Sequence, residues 1–319
     1  MKYRNLGNSG LKVPEIGLGG GSFGFRVTDE HSVISIIDQA LDMGINYIDT
    51  SEYYGETRSE EWIGRAIKGK RSKVIIATKF GVTHASRFGL AADPNEGGGS
   101  RYWIMKAVEG SLRRLNTDYI DLYQMHQPDL KTPIEETLQT LNTLVQAGKV
   151  RYIGCSNFAG WQLSEALWTS KVHSLESFVS IQSEYSLLER GIEQEIVPCC
   201  QAHGVGVIPY RALAAGFLTG RYRRGESVPV GTRFGIPETS INRFLNDANF
   251  TMLEKLQAFA TAHGHTVGEL TIAWLLSHPW LSTVLVGTTR PEQLAPHLTA
   301  LEWKLSTEEI AEVDSISSS

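Results

Sequence analysis

Four side chains of this 319-residue chain have the types and spacing needed to move a proton. Asp49 closes the apolar run Tyr47-Ile48, and Tyr54 follows a short way on. Lys79 closes VIIATK, and His126 closes IDLYQMH. Tyrosine is a weak acid near neutrality, with a reference pKa of about 10. A neighbouring ammonium favours the phenolate, so Lys79 beside Tyr54 would make the phenol a better donor. A lysine and an aspartate at buried strand ends each cost desolvation energy and are expected to pair. His126 can orient an acceptor oxygen or relay its proton. Together the groups suit protonation of a carbonyl oxygen as it becomes an alkoxide. The carbon would still need a hydride, which no amino acid supplies, so a nicotinamide cofactor is implied. Taken singly, each residue has a plainer role, as a loop-side ion pair, a cap or a packed aromatic. Their joint position at neighbouring strand ends is what points to chemistry.

Those strand ends need a scaffold. Eight short β-rich runs are predicted at 16–19, 47–49, 74–79, 120–126, 151–155, 178–182, 205–210 and 284–286. Amphipathic segments lie between them. Val33, Ile37, Ala40 and Leu41 share one helical face, as do Ile104, Val108, Leu112 and Leu115, and Ile134, Leu138, Leu141 and Val145. Gly44 and Gly148 follow their helices as C-cap residues do. Alternating βα units in this number predict an α/β fold, a (β/α)8 TIM barrel forming one domain over 1–319. An open doubly wound sheet is the rival, but GLGGGSFG at 17–24 is not followed directly by a helix. The segments Tyr3-Leu6 and Lys12-Val13 around GNSG predict an N-terminal β-hairpin plugging the barrel bottom. Two connections, 81–100 and 211–249, are too long for simple turns and would emerge at the C-terminal face.

Composition narrows the classes. Thirty basic and 35 acidic residues give a net charge of −5, which argues against nucleic acid and against a polybasic membrane footprint. No apolar run reaches the length of a membrane span, and MKYRNLGNSGLKVPEIG lacks a signal-peptide core. Cys155, Cys199 and Cys200 form no disulfide framework, which suggests reduced thiols and a cytoplasmic protein. No C-x-x-C or H-E-x-x-H spacing occurs, so no metal is expected. Trp161, Trp168, Trp274, Trp280 and Trp303 are expected to pack in the core or between helices, and Trp62 under the active-site loop.

The chain resembles the aldo-keto reductases along almost its full length, from GLKVPEIGLGG to GTTRPEQL. GINYIDTSEYYG and SLRRLNTDYIDLYQMHQPD are close to that family's signature blocks, and GKVRYIGCSNF is similar to its strand-five block. The resemblance implies that Asp49, Tyr54, Lys79 and His126 form a catalytic tetrad, with Tyr54 as the acid; Tyr53 fits the spacing less well. It implies that Ser156, Asn157 and Gln182 hold the nicotinamide carboxamide and that Tyr210 stacks on the ring. RALAAGFLTGRY at 211–222 resembles the segment that wraps the pyrophosphate, involving Leu213, Gly216 and Arg221. Arg211 departs from the usual Ser-Pro-Leu pattern there, and either charges the pyrophosphate or faces solvent. Arg233 lies in the same long loop and could close over the cofactor.

VLVGTTRPEQLAPHL sets Gly287, Thr288, Thr289 and Arg290 before a helix expected near Pro291, a phosphate-binding arrangement. In the family this block resembles the adenosine 2′-phosphate site, with Gln293 at a matching position. His297 stands where the family commonly has an adenine-contacting Asn. The implied cofactor is therefore NADPH, and the implied reaction is reduction of a small-molecule aldehyde or ketone. Two alternatives stay open. One is a cofactor-binding regulatory subunit similar to the potassium-channel β subunits, which a chain without tails would fit less well. The other is a Schiff-base lyase acting through Lys79. Substrate choice would fall to Phe23, Phe25, Tyr102 and the two long loops. A chain ending soon after a helix near Thr307 suggests an open site without a long C-terminal flap. Oligomeric state is not legible.

Overall fold

The fold was taken from a computed structural model, which describes residues 1–87, 89–90, 93–229, 232, 234 and 242–317. A hairpin comes first, β1 (Tyr3–Asn5) paired antiparallel with β2 (Lys12–Pro14). The barrel strands follow: β3 (Ile16–Gly19), β4 (Tyr47–Asp49), β5 (Ile75–Phe80), β6 (Ile120–Met125), β7 (Val150–Ser156), β8 (Ser180–Glu184), β9 (Gly206–Tyr210) and β10 (Val284–Gly287). They form one parallel sheet in the order β10-β3-β4-β5-β6-β7-β8-β9. The segment leading into β10 closes the ring: Ser282 N–H donates to the Val207 carbonyl at 3.0 Å, and Val207 N–H to the Trp280 carbonyl at 3.3 Å. The expected (β/α)8 barrel and its hairpin are both present.

The helices are α1 (Glu30–Asp42), α2 (Arg58–Ala66), the short α3 (His84–Arg87), α4 (Arg101–Leu115), α5 (Ile134–Gln146), α6 (Gly160–Val172), α7 (Ile196–His203), α8 (Asp247–Ala262), α9 (Val267–Ser277), α10 (Ala295–Thr299) and α11 (Thr307–Ser317). Local chemistry starts them. Asp29 caps α1 by accepting from Ser32 N–H, and Ser100 caps α4 by accepting from Trp103 N–H. α1 buries the stripe its apolar spacing defines, Val33, Ile36, Ile37 and Ala40. The outer layer departs from expectation at α6. Trp161 and Trp168 are 59% and 65% exposed, because they lie on the face of α6 opposite Leu163, Ala166 and Leu167.

Inside the barrel, side chains alternate between lumen and helix layer. The lower lumen is apolar: Tyr47, Ala77, Leu122, Ile208 and Leu285 pack with Leu6 and Val13 of the hairpin region. The hairpin thus plugs the bottom. Gly7 makes this docking possible: with φ +57°, a Cβ there would stand 2.6 Å from the Gly204 and Val179 carbonyls. Two residues further along the strands, the same parity brings Asp49, Lys79, Gln124, Ser156 and Gln182 to the upper lumen. Both long connections, 81–100 and the one after β9, leave from this end. Among the described residues, no helix is long and apolar enough to cross a membrane.

Candidate active site

Asp49 sits at the centre of the upper lumen, 2% exposed. Its Oδ1 accepts from Lys79 Nζ at 2.5 Å. Its Oδ2 accepts from Gln182 Nε2 at 2.8 Å and Gln124 Nε2 at 3.3 Å. β4 and β8 lie on opposite sides of the ring, so the Gln182 bond crosses the lumen. A buried carboxylate is costly unless its lone pairs are met, and here three donors meet them.

Lys79 is fully buried. Its three protons have three recipients: Asp49 Oδ1, the Thr50 carbonyl at 3.0 Å and Tyr54 Oη at 3.3 Å. Burial pulls the ammonium toward neutrality, but Asp49 and then Tyr54 more than offset this, and its pKa stays above the ordinary lysine value. An amine with every N–H engaged and no free lone pair is not a nucleophile, which removes the support for a Schiff-base lyase. Because Tyr54 Oη accepts from Lys79, its own hydroxyl proton is not used in that contact.

Tyr54 follows a tight turn in which its N–H donates to the Ser51 carbonyl at 3.1 Å. Gly55 holds the next position at φ +59°, and a Cβ there would meet the Phe23 carbonyl at 2.5 Å. Glycine at this point lets the β3–α1 connection close over the turn. His126 lies just past β6, anchored by its N–H to the Phe80 carbonyl at 2.9 Å. Its ring meets Tyr54 edge-on, centroids 5.8 Å apart. Burial first, then the charges of Lys79 and Arg87, lower its pKa to about 3, so it is neutral near pH 7. The four sequence-derived residues therefore meet at one rim.

The adjoining rim gathers the second group. Asn157, at φ +62°, donates from Nδ2 to the His126 carbonyl at 2.9 Å and to Ser156 Oγ at 3.0 Å. Tyr210 Oη donates to Asn157 Oδ1 at 2.9 Å. Ser156 Oγ donates to the Gln182 carbonyl at 2.9 Å. After Tyr210 the chain turns through positive φ at Arg211, Ala214, Ala215 and Gly216, breaking the 3₁₀ stretch Ala214–Thr219. Leu213 accepts from Gly216 N–H inside this turn. Arg221 donates to Thr219 Oγ1 and is exposed.

Two expectations shift here, those for Arg211 and for Phe23. Arg211 donates to Glu184 Oε2 at 3.0 Å, so its charge is balanced before any ligand arrives. Pro291–Gln293 forms a single 3₁₀ turn, followed by the five-residue α10. Gln293 Oε1 accepts from Thr289 N–H and Thr288 Oγ1, so its side chain reaches back to the residues just before this turn. Phe23, expected near substrate, is fully buried, whereas Phe25 and Tyr102 are exposed. Arg233 lies outside the described residues. Arg290 has no acidic partner among the described residues, and Gly287 beside it faces open space. Burial lowers the His297 imidazole to about 4, leaving it neutral. A groove of about 690 Å³ lies beside the mouth, lined by Gly81, Arg87, Gln127 and Lys131 among others.

Sequence reasoning missed three residues of this site. Gln124 shares the lumen parity of His126, a signal that period-two counting alone carries. Ser51 lies in the turn between Asp49 and Tyr54, and its Oγ bonds His126 Nδ1 at 3.1 Å. Glu52 is buried, and its Oε1 accepts from Gly81 N–H at 2.9 Å and Trp103 Nε1 at 3.3 Å, pinning the root of the 81–100 loop. Burial and then Glu60 raise its carboxyl to about 8. The unfolded chain ionises this group near 4.5 while the folded chain holds its proton, so folding stability falls as pH rises from about 4.5 to about 8. Glu52→Gln cannot ionise and is expected to lose that fall. Thermal melts of both proteins across this range check it, and parallel curves would show that Glu52 does not titrate there.

Residues 15–318 match the sequence model of the Aldo/keto reductase family. The chain is 36% identical over 321 residues to the "uncharacterized oxidoreductase YrpG" of Bacillus subtilis (strain 168), covering 97% of this chain and 93% of that protein. It is 35% identical over 327 residues to the aldo-keto reductase YhdN of the same organism, covering 99% and 93%. It is also 33% identical over 309 residues to a probable voltage-gated potassium channel subunit beta of Oryza sativa subsp. japonica, covering 95% and 92%.

Proposed function

The chain belongs to the aldo/keto reductase family, and from that premise we propose that it is an NADPH-dependent oxidoreductase that reduces an aldehyde or ketone to an alcohol. The observation that carries the reading is the distribution of Lys79 protons. Asp49 and the Thr50 carbonyl take two, and Tyr54 Oη takes the third. Tyr54 does not use its own proton in that contact, and its oxygen already has a cationic donor when that proton leaves.

The residues present fit a nicotinamide dinucleotide. Ser156, Asn157 and Gln182 offer amide and hydroxyl groups suited to a carboxamide, and the half-buried Tyr210 ring, tethered to Asn157, suits a flat heterocycle. Leu213 and Gly216 would bring backbone to the pyrophosphate, with Arg221 in reach of its charge. Gly287, Thr288, Thr289 and Arg290 would take the adenosine phosphate, beside Gln293 and His297. The cofactor, when bound, supplies the hydride. Tyr54 gives its proton to the carbonyl oxygen, Lys79 stabilises the phenolate left behind, and Asp49 holds Lys79 charged. Neutral His126 donates a hydrogen bond that orients the carbonyl oxygen. The alcohol leaves and Tyr54 regains its proton from solvent. The test is to mix the protein with NADPH and a reactive aldehyde and follow nicotinamide absorbance; no oxidation across a broad carbonyl panel would exclude the reductase reading.

Preference for NADPH rests on Arg290, which no described carboxylate neutralises. Charge-assisted hydrogen bonds are worth about 1.5–3 kcal/mol, so Arg290→Glu is expected to weaken NADPH binding roughly tenfold or more and leave NADH binding little changed. Fluorescence titration with both cofactors checks this. Three unpaired thiols, Cys155 and Cys200 among them buried, are in keeping with a cytoplasmic placement. A second reading, a cofactor-carrying partner subunit, is favoured by the likeness to the probable channel β subunits. Tight NADPH binding with negligible turnover would support it instead.

A further inference from the structure

A histidine that donates to a carbonyl must carry its single ring proton on the correct nitrogen. Around His126, the partner that decides this is Ser51. Ser51 Oγ stands 3.1 Å from His126 Nδ1 and 3.1 Å from Tyr53 N. The Tyr53 N–H can only donate, so Ser51 Oγ accepts there. The hydroxyl keeps one proton of its own, and among the described residues His126 Nδ1 is the acceptor it meets. Ser51 is itself fixed: it is buried, and its carbonyl accepts from Tyr54 N–H at 3.1 Å. One residue thus shapes the turn that carries Tyr54 and also contacts the imidazole across from it.

We propose that Ser51 is a positioning residue for His126: its hydroxyl donates to Nδ1 and so keeps the ring proton on Nε2, the nitrogen turned away from Ser51. With Nδ1 occupied as an acceptor, the ring is held in one tautomer and one orientation. The phenol of Tyr54 and the Nε2–H of His126 then stand as two donors for one oxygen, linked through a single turn. The plainer role of Ser51, closing the turn by accepting from Tyr53 N–H, uses only the lone pairs of its oxygen. It does not require the proton to reach His126, and this separates the two accounts experimentally.

The inference rests on His126 belonging to a carbonyl-reducing site, but its test does not need turnover. Histidine is labelled with ¹⁵N and the ring nitrogens are read by NMR near neutral pH. His126→Gln identifies the signal among the nine histidines of the chain. The wild type is expected to show a protonated Nε2 and an unprotonated Nδ1 shifted by an accepted hydrogen bond. In Ser51→Ala the Nδ1 signal is expected to move to the position of an unbonded nitrogen, and in Ser51→Thr to return. Activity is expected to follow, kcat falling roughly tenfold in Ser51→Ala with cofactor affinity unchanged, the size of one lost hydrogen bond, and recovering in Ser51→Thr. A wild-type Nδ1 that carries the proton overturns the proposal, whether or not Ser51→Ala folds. So does an Nδ1 signal unmoved in folded Ser51→Ala. Reduction that proceeds with the wrong tautomer defeats this inference alone. The correct tautomer with no carbonyl turned over defeats the proposed reaction and leaves Ser51 in its role.

Discussion

Tyr54→Phe is expected to lower kcat for carbonyl reduction by about 10²–10⁴-fold, the contribution of a positioned proton donor, while NADPH still binds. The substitution removes one oxygen. That oxygen accepts the third proton of Lys79 and carries the proton proposed to leave. Asp49 and the Thr50 carbonyl keep Lys79 in place without it, so the lumen should not rearrange. The ring remains, and its edge-on contact with His126 is preserved. Rates and cofactor affinity measured on the same preparation check this. Retained activity in Tyr54→Phe would mean the proton comes from another group, with His126 the next candidate.

Lys79→Met is expected to cost about 3–5 kcal/mol of stability and to abolish reduction. Removing one partner of a buried ion pair strands the other without compensation. The stranded group is the Asp49 carboxylate, 2% exposed and then held, among the described residues, by Gln124 and Gln182. Adding Asp49→Asn to Lys79→Met should recover much of the loss, because the double variant buries no charge. It should stay inactive, because Tyr54 Oη would have no cationic donor. Denaturant melts of the three variants separate the two effects. A Lys79→Met protein as stable as the parent would show that the pair contributes little.

Both expectations concern residues that the sequence exposed, and the reason is physical. A polar residue ending an apolar β-run is a local pattern. Asp49, Lys79 and His126 each showed it, and repeated βα alternation implied that such ends converge. The barrel and the hairpin plug were legible for the same reason, since period-two and helical spacing are local. Trp161 and Trp168 misled because their residue type suggested burial while their position on α6 faced outward. The stretch after β10 does turn helical at Pro291, as Pro-Glu-Gln suggests, but as a 3₁₀ turn that passes through Leu294 into the short α10.

What the sequence determined by itself was the set of strand-end groups and the scaffold that carries them, because propensity and alternation depend on near neighbours along the chain. What only the tertiary structure decided was who bonds whom. Gln182 reaches Asp49 across the lumen, Glu184 takes Arg211, and Ser51 meets His126. These partners are 133, 27 and 75 residues apart, and closing the sheet is what brings them within hydrogen-bond reach. A hydrogen bond depends on ångströms and angles that no spacing along the chain specifies.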